Sequence, residues 1–169
     1  MAMILIGIGG NLPGLDGATP LETCTAVVPV LRDLPGLDFI ALSQWYRSTP
    51  LPYAPQPDYC NGVIRLEGEI PPEVLLLRLH AIEEDFGRLR SLPNAPRVLD
   101  LDIIDLNGLI RTDPPPVLPH PRAHLRAFVL RPLLDVAPGW RHPGLNMSVS
   151  SLLAELPQQN IQPWDAPVP

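Results

Sequence analysis

Residues 97–104 limit the possible folds of this chain most strongly, because their pattern is typical of a strand with two different faces. Apolar side chains alternate there with Asp100 and Asp102, and successive side chains of a strand point to opposite sides of a sheet. We therefore expect the two carboxylates to share one face while the apolar side chains enter a core.

The acidic pair at Asp100 and Asp102 also suggests a chemistry. Neighbouring carboxylates repel each other unless a cation lies between them, and Mg²⁺ takes hard oxygen ligands that it completes with water and phosphate. Arg88, Arg90 and Arg97 lie close by in the sequence, and guanidinium groups bind phosphate oxygens through paired hydrogen bonds. The pattern predicts phosphoryl-transfer chemistry. An exposed strand face with hydrated charges is the alternative, because the motif alone is short.

The composition is that of a globular protein. Hydrophobic residues make up 46% of the 169 residues and charged residues 18%, so we expect one domain over residues 1–169, with a loosely held tail over 157–169. The net charge of −6 argues against a general surface for nucleic acid. All 12 basic residues are arginine, which excludes a Walker-type phosphate loop because that loop requires a lysine.

The two cysteines and the N-terminus indicate the compartment. Cys24 and Cys60 lack the spacing of a zinc site or a redox pair, so we expect two reduced thiols and a cytoplasmic protein. The apolar residues 1–8 have no basic flank and no cleavage site, which favours a first strand over a signal peptide. No apolar run approaches the length of a membrane span, so we expect no membrane partner.

The predicted elements follow the order β-α-β-β-α-β, which is typical of the ferredoxin-like α+β fold with an antiparallel sheet. Apolar runs predict strands over residues 4–8, 39–46, 59–66 and 97–104. Helices are predicted after a capping box that begins at Thr19 and after the prolines at 71 and 72. Pro29 is expected to kink or end the first helix.

Three further elements are predicted after this core. Asn107 and Gly108 form a two-residue turn signal, which predicts an added hairpin strand over residues 109–111. Apolar spacing predicts C-terminal helices over residues 125–134 and from Ser148, a plausible cap.

Several sequence blocks occur in a specific order between residues 4 and 156. They are Gly7-Ile8-Gly9-Gly10-Asn11-Leu12, Ser43-Gln44-Trp45-Tyr46, Gln56-Pro57-Asp58-Tyr59-Cys60-Asn61, Ile82-Glu83, Gly87-Arg88-Leu89-Arg90, Pro96-Arg97-Val98-Leu99-Asp100-Leu101-Asp102, Pro119-His120-Pro121 and Arg126-Ala127-Phe128-Val129-Leu130. With these blocks the chain resembles the 6-hydroxymethyl-7,8-dihydropterin pyrophosphokinase family of folate biosynthesis. One block alone would be weak, but their shared order is specific.

The resemblance implies an ATP-dependent enzyme that transfers pyrophosphate to the hydroxymethyl group of 6-hydroxymethyl-7,8-dihydropterin and releases AMP. It implies that Asp100 and Asp102 bind two Mg²⁺ ions and act with Arg88 and Arg97 in catalysis. The implied ATP-binding residues are His80, Arg88, Arg90, Arg97, Ile103, His120 and Arg126, with Glu83 a weaker candidate. The implied pterin-binding residues are Thr49, Leu51, Tyr59, Asn61 and Phe128.

The chain departs from the family pattern at several positions. Gly10 stands where serine is usual, Ser48 where threonine is usual, and Pro52 where glycine is common. The loop over residues 91–96 looks short, and Pro121 replaces an aromatic residue of some relatives. A trimmed, proline-stiffened loop implies slower turnover or weaker sealing of the nucleotide.

Two other functions stay open at this point. A relative that binds pterin or nucleotide but has lost turnover is consistent with the altered loop. A Mg²⁺-dependent nucleotide phosphohydrolase would use the same acidic and basic groups with water as the acceptor. The low charge density and the lack of an obvious exposed apolar stripe favour a monomer. Asp105 lies out of phase with the acidic pair and is expected to be structural or exposed.

Overall fold

The computed structural model describes residues 3–50, 53–88 and 95–165, which form an α+β fold. The strands are β1 (Ile4–Gly10), β2 (Leu37–Leu42), β3 (Tyr46–Ser48), β4 (Tyr59–Gly68), β5 (Asp100–Leu106) and β6 (Ile161–Pro163). The helices are α1 (Pro20–Arg32), α2 (Pro72–Asp85), α3 (Ala127–Val136) and α4 (Val149–Glu155). None of these helices is long and apolar enough to span a membrane.

The sheet is antiparallel throughout, and β1 lies between the edge strand β5 and the central strand β4. The strand order is β5-β1-β4-β3-β6, and β2 also pairs with β4, beside β3. The predicted ferredoxin-like order is thus confirmed, but the strand expected over residues 39–46 is two strands. At the division the Ser43 hydroxyl accepts the Val63 N–H at 2.9 Å, so a side chain replaces a main-chain acceptor of the ladder.

Helices cover both faces of the sheet because the side chains of β1 alternate. Ile4 and Ile8 point to α1 and α2, in what we call the α1–α2 core. Leu5 points to the opposite face, where α3 and α4 complete the α3–α4 core. Gly7 and Gly9 follow Leu5 on this second face. The part of β1 after Leu5 therefore presents no side chain on the α3–α4 face.

The strand predicted over residues 97–104 begins at Asp100 rather than at Arg97. The Arg97 carbonyl accepts main-chain N–H groups from Asn11 at 2.9 Å and Leu12 at 3.1 Å. These bonds hold the segment before β5 across the end of β1 instead of along it. The acidic pair itself lies within β5, where alternation places both carboxylates on one face.

A bulge in the pairing of β1 with β5 turns Asp105 towards the α3–α4 core. Asp105 is only 3% exposed. Its carboxylate accepts the Trp140 indole N–H at 2.8 Å and the Gly108 N–H at 3.1 Å. Asp105 is therefore structural, which is one of the two expected alternatives, although the bulge returns it to the sheet face of the acidic pair.

The turn predicted at residues 107–108 is confirmed, with positive φ angles of 54° and 73°. The added hairpin strand over residues 109–111 is wrong, because only an isolated bridge to Leu118 follows the turn. Prolines crowd the segment after it, and proline has no N–H to donate to a ladder. The outer edge of β5 instead accepts the main-chain N–H of His120 at 2.9 Å.

α1 begins at the predicted cap, where Thr19 and Glu22 exchange hydrogen bonds at 3.1 and 3.0 Å. It continues through Pro29 to Arg32, so Pro29 does not end the helix, which was one of the two predicted effects. Pro29 lies on the exposed face of the helix, so the carbonyl that it leaves unpaired can bind water.

Part of the predicted loose tail is also ordered. Ile161–Pro163 pairs with β3 as an outer strand. Trp164 continues this contact, because its N–H donates to the Trp45 carbonyl at 2.9 Å and the Arg47 guanidinium lies 4.0 Å from the centre of its ring. Residues 166–169 lie outside the described residues.

Candidate active site

A cavity of about 360 Å³ opens over the glycine half of β1. β5 contributes Asp100 and Asp102 to its lining, and β4 contributes Tyr59 and Asn61. The segment before α3 and the first turn of that helix line it as well. The cavity therefore joins the predicted acidic, basic and aromatic residues from distant parts of the chain.

Two glycines of β1 allow this close assembly. A Cβ atom at Gly10 would lie 2.3 Å from the Val98 carbonyl oxygen, and one at Gly9 would lie 3.3 Å from Asn61 Oδ1. A serine in place of Gly10 would clash with this main chain. The hydroxyl missing at Gly10 thus follows from the tight crossing between β1 and the segment before β5.

The acidic pair has unequal surroundings. Asp100 Oδ1 accepts hydrogen bonds from Arg88 Nη1 at 2.9 Å and Arg97 Nη1 at 3.2 Å. Desolvation within the cavity, followed by the nearby charge of Asp100, raises the pKa of Asp102 to about 7. An added positive charge at Asp102 would relieve both effects.

His120 lines the cavity beside Asp102, with Nε2 at 3.9 Å from Asp102 Oδ1. Burial, followed by the charge of Arg126, lowers the pKa of His120 to about 4. The ring is therefore neutral at pH 7. Its Nδ1 accepts the Arg122 N–H at 3.1 Å, so the remaining proton is on Nε2. His120 offers the cavity a neutral hydrogen-bond donor rather than a second cation.

Glu83 supports the acidic pair from behind and is 3% exposed, although its surroundings could not be predicted from the sequence. Its Oε2 accepts the Leu101 N–H at 2.8 Å and pairs with Arg88 Nη1. Burial raises the pKa of Glu83, and the bonds to Leu101 and Arg88 oppose this shift. Glu83, Arg88 and Asp100 thus form one continuous network.

The ring-binding residues occupy the same cavity. Tyr59, Asn61, Phe128 and Thr49 all line it. Asn61 Nδ2 donates to the Ser48 hydroxyl at 2.6 Å, which leaves the Asn61 carbonyl oxygen as an acceptor over Gly9. The serine at position 48 therefore provides the oxygen that Asn61 uses here. Burial raises the pKa of Tyr59, so its hydroxyl stays protonated.

Arginines supply the positive charge of the cavity. Arg97 and Arg126 line it, as the resemblance implies, and Arg122 lines it as well. The Arg126 guanidinium lies 5.3 Å from the centre of the Phe128 ring. Arg122 was missed from the sequence. Its position in the Pro119–Arg122 region was the only available signal, because that segment is rigid and basic.

Several predicted site residues are not part of the cavity lining. The Ile103 side chain is buried in the α1–α2 core, opposite the acidic pair. His80 lies on α2 and is half-buried, away from the lining. Arg90, Leu51, Pro52 and residues 91–94 of the predicted short loop lie outside the described residues.

A family model provides the deciding comparison. Residues 5–138 match the model described as 7,8-dihydro-6-hydroxymethylpterin-pyrophosphokinase (HPPK). The chain belongs to this family. The members are pyrophosphokinases of folate biosynthesis, that is, ATP-dependent diphosphotransferases, and the resemblance noted from the sequence is confirmed.

Curated relatives agree with this assignment. This chain is 38% identical over 159 residues to the 2-amino-4-hydroxy-6-hydroxymethyldihydropteridine pyrophosphokinase of Pseudomonas aeruginosa, with 94% of both chains covered. It is 34% identical over 152 residues to the protein of that name from Synechocystis sp., covering 90% of this chain and 75% of the relative.

Solved structures show the same fold in longer proteins. The Plasmodium falciparum HPPK-DHPS wild type with pteroate matches with a TM-score of 0.68 at 12% identity. The alignment covers 91% of this pyrophosphokinase but only 42% of that chain. A triple mutant of the same protein with STZ-DHP gives a TM-score of 0.69 and covers 43% of that chain. At such low identity these matches concern the fold alone.

The residues of the cavity fit Mg²⁺, which an ATP-using kinase generally implies. Asp100 and Asp102 present hard oxygen atoms on one strand face, and the raised pKa of Asp102 indicates a position that a cation would stabilise. Among residues 3–50, 53–88 and 95–165, no three His, Cys, Asp or Glu side chains converge on one point. Water and substrate oxygens would therefore complete the coordination, as is usual for Mg²⁺.

Proposed function

We propose that this cavity binds ATP and 6-hydroxymethyl-7,8-dihydropterin together, and that the terminal diphosphate of ATP passes to the pterin hydroxymethyl group with release of AMP. One observation carries the proposal. The acidic pair, several cationic or donor groups and a set of ring-binding side chains all line a single cavity. A nucleotide tail and a flat heterocycle need these two kinds of surface.

The phosphate groups of ATP are assigned to the basic side of the cavity. Arg97 and Arg126 bind phosphate oxygens, and Arg88 reaches the same region through Asp100. We add Arg122 to this group because it lines the cavity, and Arg90 remains assigned by resemblance alone. His120 donates from Nε2. His80 and Ile103 are left out of the proposed side-chain contacts because neither lines the cavity.

Asp100 and Asp102 are the proposed ligands of two Mg²⁺ ions. When bound, the ions supply positive charge at the oxygens of the transferred diphosphate. Glu83 pairs with Arg88 and keeps it against Asp100, so that the Asp100 carboxylate faces the cavity in a fixed orientation. Among the described residues, Asp102 has no arginine partner within hydrogen-bond distance. Its carboxylate is therefore available to bind a Mg²⁺ ion.

The pterin ring is assigned to the space beside Tyr59 and Phe128. Their aromatic faces suit a flat heterocycle. Asn61 donates its amide N–H to Ser48, and its carbonyl oxygen accepts a hydrogen bond from an N–H on the ring edge. Thr49 lines the same region, and Leu51 remains assigned by resemblance alone.

The protein's contribution to the chemical step is then alignment and charge neutralisation. The hydroxymethyl oxygen must approach the phosphorus in line with the leaving AMP oxygen, and the two binding surfaces hold both reactants for that approach. No protein nucleophile is required. We expect no added phosphoryl mass on the protein after exposure to ATP, as measured by intact-protein mass spectrometry.

Replacement of Asp102 tests the proposal. Asp102→Asn keeps the size of the side chain but removes its charge, so AMP formation in the presence of Mg²⁺ and pterin should fall at least about 100-fold. Asp38→Asn is the matched control, because Asp38 is an exposed carboxylate on β2, and it should leave the rate unchanged. Circular dichroism checks that both variants are folded. Activity that survives Asp102→Asn would refute the metal assignment.

The same assay separates the alternatives. AMP that forms only with 6-hydroxymethyl-7,8-dihydropterin supports the proposal. AMP or ADP that forms equally well without the pterin indicates a nucleotide phosphohydrolase. Tight nucleotide binding with no AMP at all indicates a relative that has lost turnover.

We also propose that the protein is a cytoplasmic monomer without a nucleic-acid or membrane partner. Cys24 and Cys60 are both free thiols, the state that a reducing compartment maintains. The net charge of −6 disfavours polyanions. Light scattering after gel filtration should give a single species near 18.5 kDa.

A further inference from the structure

Both walls of the proposed pterin site are tied to the C-terminal segment 159–164, which we call the strap. On one side, β3 leads directly into Thr49, and the strap pairs with β3 as β6. The Thr49 N–H also donates to the Asn160 carbonyl at 3.2 Å. The wall that contains Thr49 is therefore fixed to the strap through the main chain.

On the other side, Gln159 holds the start of α3. Its Oε1 accepts the Ala127 N–H at 2.8 Å, and its Nε2 donates to the Leu125 carbonyl at 3.0 Å. The first N–H groups of a helix have no partner within the helix, and Arg126 at the N-cap position makes no side-chain cap bond. A glutamine from a distant part of the chain thus provides the cap.

The other end of α3 has its own attachment to the sheet. Asp135 Oδ2 accepts the Tyr46 hydroxyl at 2.8 Å and the Gln44 N–H at 3.2 Å. Loss of the bonds to Gln159 would therefore release only the first turn of α3. That turn and the residue before it include Phe128 and Arg126, which line the cavity.

The strap does not pack solidly against these walls. A second cavity of about 190 Å³ lies between them, and Thr49, Pro50 and Phe128 line both cavities. Side-chain packing alone cannot set the distance between the two walls where such a space remains. Among the described residues, the hydrogen bonds of Gln159 and Asn160 bridge this space.

We infer that Gln159 is a positioning residue that fixes the spacing between the Thr49 wall and the Phe128 wall, and so sets the affinity for the pterin. This inference rests on the proposed function, because it assumes that the pterin occupies the space between these walls. The side-chain amide is required rather than a carboxylate, since one atom accepts from Ala127 and the other donates to Leu125.

Gln159→Met tests the inference, because methionine keeps the length of the side chain but forms neither bond. Two lost hydrogen bonds should raise the KM for 6-hydroxymethyl-7,8-dihydropterin about tenfold, with a smaller change in kcat. A variant that was merely destabilised would lose active protein and therefore kcat, with its KM unchanged. Gln158→Met is the matched control, because the neighbouring Gln158 is exposed, and it should retain both constants.

A second measurement follows the strap without turnover. Amide hydrogen exchange should show faster exchange at Ala127 in Gln159→Met than in the wild type, with Ala137 at the other end of α3 unchanged. An unchanged pterin KM in Gln159→Met, with an active wild type, would overturn the inference and leave the proposed function intact. A wild type that forms no AMP with the pterin would instead refute the proposed function.

Discussion

Gly10 is a position where the main chain of Arg97 and Val98 leaves no room for a side chain. β1 ends there against the segment that leads into β5, and the Asn11 side chain next to it joins that segment to the segment before β4. Asn11 Oδ1 accepts the Arg97 N–H at 2.9 Å, while its Nδ2 donates to Gln56 Oε1 at 3.1 Å and the Pro57 carbonyl at 3.0 Å. The space above Gly10 cannot open without disturbing these bonds.

We therefore expect Gly10→Ser to destabilise the protein by about 1–3 kcal/mol, because overpacking at a fixed main chain forces neighbouring atoms apart. Urea denaturation provides the measurement. Gly139→Ala is the control, since no atom lies within 4 Å of its added Cβ, and it should change stability by less than about 0.5 kcal/mol. Equal stability of Gly10→Ser and the wild type would contradict the predicted clash.

The contacts of His142 lower its pKa. Its Nδ1 accepts the Gly144 N–H at 3.1 Å and the Leu145 N–H at 3.0 Å. The rings of His124 and Trp140 pack against it at 5.3 and 5.8 Å. Burial, followed by the charge of His124, lowers the pKa of His142, and Asp105 opposes this shift.

A lowered pKa means that His142 gains a proton more easily when the chain unfolds. Its contribution to stability is therefore complete above about pH 6.5, the pKa of an unperturbed histidine, and is lost as the pH falls through the folded pKa. His142→Asn keeps an acceptor in place of Nδ1 but does not titrate. The free energy of unfolding of the wild type should approach or fall below that of the variant as the pH is lowered from 7.5 to 5. Parallel curves for the two proteins would refute this assignment.

The placement of site residues was predictable from the sequence where the local strand pattern determines it. Strand alternation placed Asp100 and Asp102 together without any knowledge of the fold. The burial of Glu83 was not predictable, because it depends on how α2 packs against β5. Arg122 was missed because it lies in a turn that follows two prolines, where no periodicity assigns a side chain to a cavity.

At the scale of single elements, α1 contains a proline that interrupts its hydrogen bonding. Pro29 cannot donate to the carbonyl of Thr25, and both residues lie on the exposed face. Packing of Cys24, Val28 and Leu31 against the α1–α2 core holds the helix together. Tertiary contacts thus override a strong local signal.

Pro29→Ala should raise the free energy of unfolding by about 1–3 kcal/mol, because it restores a helical hydrogen bond and removes a steric conflict, while the more flexible unfolded chain offsets part of the gain. Thermal unfolding followed by circular dichroism at 222 nm measures the change. Val30→Ala, at the next exposed position of the helix, is the control and should have little effect. A lower melting temperature for Pro29→Ala would show that the proline stabilises the protein.

Prediction of the elements succeeded for helices with caps and for strands with long apolar runs. It failed where tertiary pairing decides. The three residues of β6 are strand only because the edge of β3 is available to them. The segment after the 107–108 turn is not strand, because its prolines cannot donate to β5. The break at Ser43 depends on Val63 of another strand.

At the scale of the whole molecule, one sheet separates two cores. Leu79 lies in the α1–α2 core and Leu133 in the α3–α4 core, and both are fully buried. Because both cores use opposite faces of the same strands, neither half can lose its packing while the sheet remains intact.

Leu79→Ala and Leu133→Ala should therefore each lower the free energy of unfolding by about 2–5 kcal/mol within one shared transition. Trp45 packs on the α1–α2 core and Trp140 lies in the α3–α4 core. Single-tryptophan versions allow urea unfolding to be followed on each side. Different urea midpoints for the Trp45 and Trp140 signals would show that the two cores unfold independently.

The sheet ends on one side in β6, which is only Ile161–Pro163. This edge strand is short and ends in a proline, which has no N–H. It therefore offers another chain few main-chain groups for hydrogen bonding. Newly synthesised copies of the protein should therefore resist aggregation into fibres through this edge strand.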